Sequence, residues 1–108
     1  MSKSKRKIIV FTGGSGRFGL ILKKIKFKQK VFFPTKKELN ITNIKSIEKY
    51  LNRTKPNILV HMAGLSRPMN IHDKNVIKSI NSNIIGTANI TNFCVKKKIK
   101  LVYFSTLY

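Results

Sequence analysis

The chain has 108 residues, one cysteine, and 23 Lys and Arg against three Asp and Glu. That length holds one domain with a modest core, a lone cysteine excludes a disulfide framework or a cysteine metal site, and no run of about 18 apolar residues is present to cross a bilayer. The net charge of +20 raises nucleic-acid binding, but the cations are 19 Lys and 4 Arg spread along the chain, whereas base reading favours Arg gathered on one face.

Lys, Ile and Asn make up about 40% of the residues, and all three have A/T-rich codons. A skewed genome gives that bias without selection for DNA contact. Nonspecific binding to polyanions at low salt is expected; a specific nucleic-acid partner is not. The basic start MSKSKRK has no apolar signal-type segment behind it, so the expected location is the cytoplasm.

Residues 7–12, KIIVFT, read as a buried strand stopped by Gly13-Gly14. Residues 17–28 read as a helix with Phe18, Leu20, Ile21, Leu22 and Ile25 on its apolar side. A short strand over 31–33 ends at Pro34, and a connector follows with some extended structure at 39–41. Thr42 or Asn43 caps a helix over 44–53, with Ile44, Ile47 and Leu51 at helical spacing. Pro56-Asn57 breaks it.

Residues 58–62, ILVHM, form another buried strand, followed by Ala63-Gly64 and a loop. A long helix spans 75–97, with a stripe of Val76, Ile77, Ile80, Ile84, Ala88, Thr91 and Val95. Cys94 lies on it as a buried thiol. Residues 100–105, KLVYFS, are the last strand. Strands alternate with helices, and the strands are continuous apolar runs. That pattern predicts an α/β fold, a doubly wound parallel sheet covered on both faces.

Gly13, Gly16 and Gly19 stand between the first strand and the first helix. A helix N-terminus offers unpaired N–H groups and a partial positive charge, to which a pyrophosphate fits if no side chain blocks it. Gly13 allows the tight turn, Gly16 the close approach, and Gly19 the packing of helix on strand. This placement predicts a dinucleotide site; an ordinary glycine turn is the plain alternative. The second strand ends in VFFPTKKE, with no acid at its tip to bond a ribose 2′-hydroxyl. Thr35, Lys36 and Lys37 supply a hydroxyl and two cations instead, which favours NADP(H) over NAD(H), with Lys36 on the 2′-phosphate and Arg17 near it; the plain alternative is two more lysines of a lysine-rich chain.

TGGSGRFG has the form T-G-x-x-G-x-x-G and resembles the extended short-chain dehydrogenase/reductase family, the NAD-dependent epimerase/dehydratase superfamily. HMAG, NIIGTANI and LVYFSTLY are similar to further motifs of that family, in the family's order. KKELNIT followed by NIKSIEKYLNRTKPNILVHMAG resembles the dTDP-4-dehydrorhamnose reductase branch, and GDP-fucose synthase shares much of it. The resemblance covers nearly everything from Lys7 onward. It implies a Rossmann-like NAD(P)-binding domain over 1–108, incomplete at the C-terminus, as the N-terminal fragment of a longer protein with a separate substrate domain.

The resemblance also implies roles. Thr106, with Ser105 as its neighbour and alternative, matches the catalytic Ser/Thr that bonds the substrate oxygen. Ser15, Arg17 and Phe18 lie with the glycines in the cofactor motif. Asn40 and Ile41 match an Asp-hydrophobic pair beside the adenine, with Asn here in place of Asp. Ala63, Gly64 and Leu65 line the cofactor, although a plain strand-ending turn needs the same residues, and Ser66 stands near the substrate. Asn83, polar on a mostly apolar helix face, either bonds the backbone at the cofactor rim or is solvated. The family's Tyr-x-x-x-Lys proton donor has no match, since neither Tyr50 nor Tyr103 has Lys four residues on and Tyr108 is the last residue. His61, inside a strand, reads as a satisfied core histidine. His72 and Asp73 start the long helix, and no metal is expected.

The implied activity is NAD(P)-dependent reduction of a 4-keto-6-deoxy sugar nucleotide, with this chain by itself inactive. The alternatives are a nucleotide-sugar epimerase or dehydratase, and a non-catalytic module that binds dinucleotide or nucleic acid. The expected partner is a nucleotide sugar, with no membrane; a homodimer is left open for the full-length protein.

Overall fold

The computed structural model describes residues 7–13, 17–63 and 74–105. In chain order the elements are β1 (Ile8–Thr12), α1 (Arg17–Leu22), β2 (Lys30–Phe32), α2 (Ile44–Thr54), β3 (Ile58–Ala63), α3 (Lys74–Lys97) and β4 (Lys100–Ser105). The four strands form one parallel sheet in the order β2-β1-β3-β4. The chain winds outward from β1 to β2, then returns across β1 to β3 and β4. The winding reverses between β1 and β3, which opens a crevice beyond their C-terminal ends.

Asn57 pins the sheet at its other end. Its side-chain Oδ1 accepts from the Ile8 N–H at 2.8 Å, its own N–H donates to the Ile8 carbonyl at 2.9 Å, and its carbonyl accepts from the Lys100 N–H at 3.1 Å. One residue read only as a helix breaker thereby aligns the starts of β1, β3 and β4.

The main core lies between the sheet and the two later helices: Val10 and Leu59 from the strands, Leu39 from the connector, Ile47, Tyr50 and Leu51 from α2, and Ile90, Phe93 and Cys94 from α3. Phe11 takes no part in that cluster; Phe33 stacks on it at 4.9 Å and Phe27 lies tilted at 6.0 Å. Alternate residues of β1 thus feed two apolar layers, which is why the strand reads as a continuous run rather than an alternating one.

Asn43 is the N-cap of α2: its Oδ1 accepts from the Ser46 N–H at 3.1 Å. The helix closes on Lys55 in the left-handed region, φ 49°, whose N–H donates to the Leu51 carbonyl at 2.8 Å. α3 ends similarly at Lys98, φ 58°, with the Ile99 N–H bonded back to the Cys94 carbonyl at 2.8 Å.

Five expectations change. α1 stops at Leu22 rather than 28, and the chain goes on in tight turns, with the Lys24 N–H to the Ile21 carbonyl at 3.1 Å and the Ile25 N–H to the Leu22 carbonyl at 3.0 Å. Lys24 and Lys28, then Lys26 and Lys30, are like charges at helical spacing, which disfavours continuation. β2 sits one residue earlier than expected, with Lys30 paired to Ile8. Residues 39–41 are turns, not extended, because Asn40 Oδ1 accepts from both the backbone N–H (3.1 Å) and the hydroxyl (2.7 Å) of Thr42. On α2, Tyr50 is buried with Ile47 and Leu51, while Ile44 is 59% exposed.

The largest change is on α3. Most of the expected stripe faces outward where it is described: Ile77, Ile80, Ile84, Ala88 and Val95 are exposed, and Thr91 is half-buried. The buried line is Gly86, Ile90, Phe93 and Cys94. Gly86 decides it. A Cβ at that position would overlap the Ile41 side chain, so the helix needs its bare position turned towards the connector. Asn89 Nδ2 donates to the Ile41 carbonyl at 3.0 Å on the same side.

Candidate functional site

The crevice at the reversal point has a volume of about 490 Å³. Its floor is Thr12 and Gly13 from the end of β1 and His61 and Met62 from β3. One wall is the connector, from Pro34 through Lys36 to Thr42; the other is α3, with Lys78, Ser82 and Asn83.

The connector holds its shape by local bonds. Thr35 and Glu38 form a reciprocal box: the Thr35 N–H donates to Glu38 Oε1 at 2.8 Å, and the Glu38 N–H to Thr35 Oγ1 at 3.2 Å. The Asn40 N–H donates to Ser46 Oγ at 2.9 Å, tying the loop to α2. Ile41 then plugs into the gap left by Gly86. The wall that carries Lys36, Asn40 and Ile41 is therefore braced from both ends.

Gly13 has φ +80°, and a Cβ there would run into the Met62 carbonyl oxygen. The turn leaving β1 passes too close to β3 for any side chain. Beneath it, His61 is 1% exposed. Its Nδ1 shares a hydrogen bond with Thr12 Oγ1 at 2.5 Å, and its Nε2 another with Thr87 Oγ1 at 2.9 Å. Burial holds the imidazole pKa below its ordinary value, so the ring is neutral near pH 7. With both ring nitrogens satisfied and no ionised partner, His61 is a structural link between β1, β3 and α3.

Of the residues nominated from sequence, the crevice brings together Gly13, Lys36, Asn40, Ile41 and Asn83. Gly19 is buried within α1, and Arg17 opens that helix ahead of Phe18. Ala63 and Ser105 are register partners at the last residues of β3 and β4, at the crevice end of the sheet. Ser15, Gly16, Gly64, Leu65, Ser66 and Thr106, like His72 and Asp73, lie outside the described residues. Sequence reasoning missed Thr12, Lys78 and Ser82. Lys78 and Ser82 are four apart and precede the Asn83 motif, a signal that was present but hidden among many lysines.

A parallel sheet with this strand order and a crevice at its reversal point defines a Rossmann-like α/β domain. The sequence pattern of the RmlD substrate binding domain family matches residues 6–108, and the chain belongs to that family. It is 35% identical over 105 residues to GDP-6-deoxy-D-talose 4-dehydrogenase of Aggregatibacter actinomycetemcomitans, covering 91% of this chain and 35% of that protein. It is 27% identical over 112 residues to GDP-L-fucose synthase of Azorhizobium caulinodans, covering 88% and 35%. The chain thus spans about a third of the length of these curated relatives. Among solved structures it resembles dTDP-4-dehydrorhamnose reductase of Bacillus anthracis in complex with NADP (TM-score 0.76, 26% identity, 94% of this chain and 37% of that one). A GDP-L-fucose synthetase of Naegleria fowleri bound to NADP shares the fold, with TM-score 0.72 at 20% identity over 95% of this chain and 32% of that one.

Proposed function

We propose that this chain is the NADP(H)-binding part of a reductase that acts on a 4-keto-6-deoxy sugar nucleotide, in the manner of dTDP-4-dehydrorhamnose reductase. The observation that carries the reading is the crevice itself: it lies at the sheet's reversal point, and Lys36, on the connector that follows β2, lines it with no carboxylate among the described lining residues. The relatives support it, since they include GDP-linked and dTDP-linked sugar enzymes, two of them solved with NADP.

The residues present fit such a cofactor. Gly13 makes the close turn at the floor, where a Cβ would run into the Met62 carbonyl oxygen. Lys36 would hold the 2′-phosphate as a point charge. Asn40 and Ile41 would lie against the adenine, and Asn83 would bond at the rim. When bound, NADPH supplies a hydride from nicotinamide C4 to the sugar ketone. Thr106, with Ser105 as the alternative, would orient the ketone oxygen.

The test is a titration of NADPH and NADH into the chain, in wild type and in Lys36→Ala. NADPH is expected to bind more tightly, and the substitution to narrow the gap by about 1–2 kcal/mol. A preference for NADH, or a ratio that the substitution leaves unchanged, overturns the assignment of Lys36. A wild-type chain that binds neither dinucleotide overturns the reading as a whole.

A further inference from the structure

We infer that Lys78 of α3 is a second ligand-binding cation of the crevice, acting from the wall opposite Lys36 to favour a dinucleotide that carries a 2′-phosphate. The inference rests on the dinucleotide reading above. Lys36 and Lys78 arrive from elements far apart in the sequence and line the same crevice. Nothing among the described lining residues neutralises them. Glu38, the acid nearest Lys36 in sequence, does not line the crevice, and its Oε1 accepts from the Thr35 N–H at 2.8 Å. The first turn of α3 contains no acid.

Helix geometry puts Lys78 on the crevice side for a definite reason. Ser82 stands one turn further on, at i+4, and both line the crevice together with Asn83. This face of α3 is set by the seating of Gly86 on Ile41, so the same packing that fixes the helix rotation also fixes the direction of Lys78. Two ammonium groups around one cavity repel each other until an anion enters between them. A ribose phosphate carries that charge, and the hydroxyls of Thr35 and Ser82 around it add neutral donors. The arrangement suits a phosphate better than a bare ribose diol, which an acid would bond.

The experiment is isothermal titration of NADPH and of NADH into wild type, Lys78→Gln, Lys78→Arg and, as a control for overall charge, Lys49→Gln on the exposed side of α2. Lys78 is exposed, so its substitution leaves the fold intact. Lys78→Gln is expected to weaken NADPH about fivefold and NADH less than twofold. Lys78→Arg should keep most of the preference, and Lys49→Gln should not alter it. An unchanged NADPH affinity, an equal loss for both cofactors, or the same effect from Lys49→Gln overturns the role of Lys78 while the dinucleotide reading stands. A wild-type chain that binds neither cofactor overturns both.

Discussion

Thr12 and His61 are register partners across the seam between β1 and β3, and their side chains meet at 2.5 Å. On its other side His61 reaches Thr87 of α3 at 2.9 Å, so one buried ring joins the glycine turn, the neighbouring strand and the helix above. The ring is neutral in the fold, because burial lowers its pKa. The unfolded chain takes up the proton below about pH 6.5. Between that value and the lowered folded value the unfolded state binds more protons, so stability falls as pH falls through that window and is complete above it. Thermal melts from neutral to mildly acidic pH are expected to show this loss in wild type and to show less of it in His61→Gln. The substitution itself should cost about 1–3 kcal/mol at neutral pH, since it strands a buried hydroxyl. Parallel pH profiles in the two proteins would refute the linkage.

Cys94 is buried in the core, and burial pushes its thiol up to about 11. Little thiolate exists at mildly alkaline pH, and the thiolate is the nucleophile. Iodoacetamide should label the native chain slowly and the urea-unfolded chain quickly. Rapid labelling of the native chain would place Cys94 outside the core.

Much of the fold was legible because the strands are short apolar runs bounded by Gly, Pro and Asn, and these signals are local. Asn43, one of two expected caps, is the one used. The α3 face was not legible in the same way. Its longest apolar stripe is the one that stays exposed, with Ile84 at 63% and Val95 at 74%. The buried face is chosen by partners distant in sequence: Ile41 for Gly86, and His61 for Thr87. Periodicity reports that a helix has an apolar side, but not which of two sides a glycine and a threonine will claim. The same limit hid Lys78, which faces the crevice only because of that rotation. The place of Lys36 and Asn40 on the crevice wall was legible, since the connector that leaves β2 runs past the C-terminal end of the sheet. The extended stretch expected beside them failed because a side-chain amide bonded its own backbone first.

Lys55 ends α2 in the left-handed region at φ 49°. For an L-residue that conformation costs about 1–2 kcal/mol, and glycine avoids the cost. Glycine also loosens the unfolded chain, which takes back about 0.4–1 kcal/mol. The first term is larger, so Lys55→Gly should stabilise by about 0.5–1 kcal/mol, a few degrees in Tm for a chain of this size. A lower Tm would show that the Lys55 side chain contributes more than its backbone costs.

Gly86 sits in the interior of α3, where glycine costs about 1 kcal/mol relative to alanine. By helix propensity alone Gly86→Ala should stabilise the protein. The structure predicts the opposite, because the new Cβ would overlap the Ile41 side chain, with the Ile41 Cβ itself only 3.2 Å away. The Cδ1 end of Ile41 can swing aside, but Cγ1 is bonded to a Cβ that moves only with the backbone, and Asn89 holds the Ile41 carbonyl at 3.0 Å. Overpacking of this kind costs about 1–3 kcal/mol, so the net change for Gly86→Ala is a loss of about 1 kcal/mol. The sign should reverse in an Ile41→Ala background. There the overlaps with Ile41 Cγ1 and Cδ1 are gone and only the 3.2 Å approach to the residue 41 Cβ remains, which a shift of a few tenths of an ångström relieves. The propensity gain should then win, and the double variant should be more stable than Ile41→Ala alone. The double-mutant cycle by urea denaturation measures that coupling directly. If Gly86→Ala has the same effect in both backgrounds, Ile41 is not what fixes the rotation of α3, and the account of the buried face falls with it.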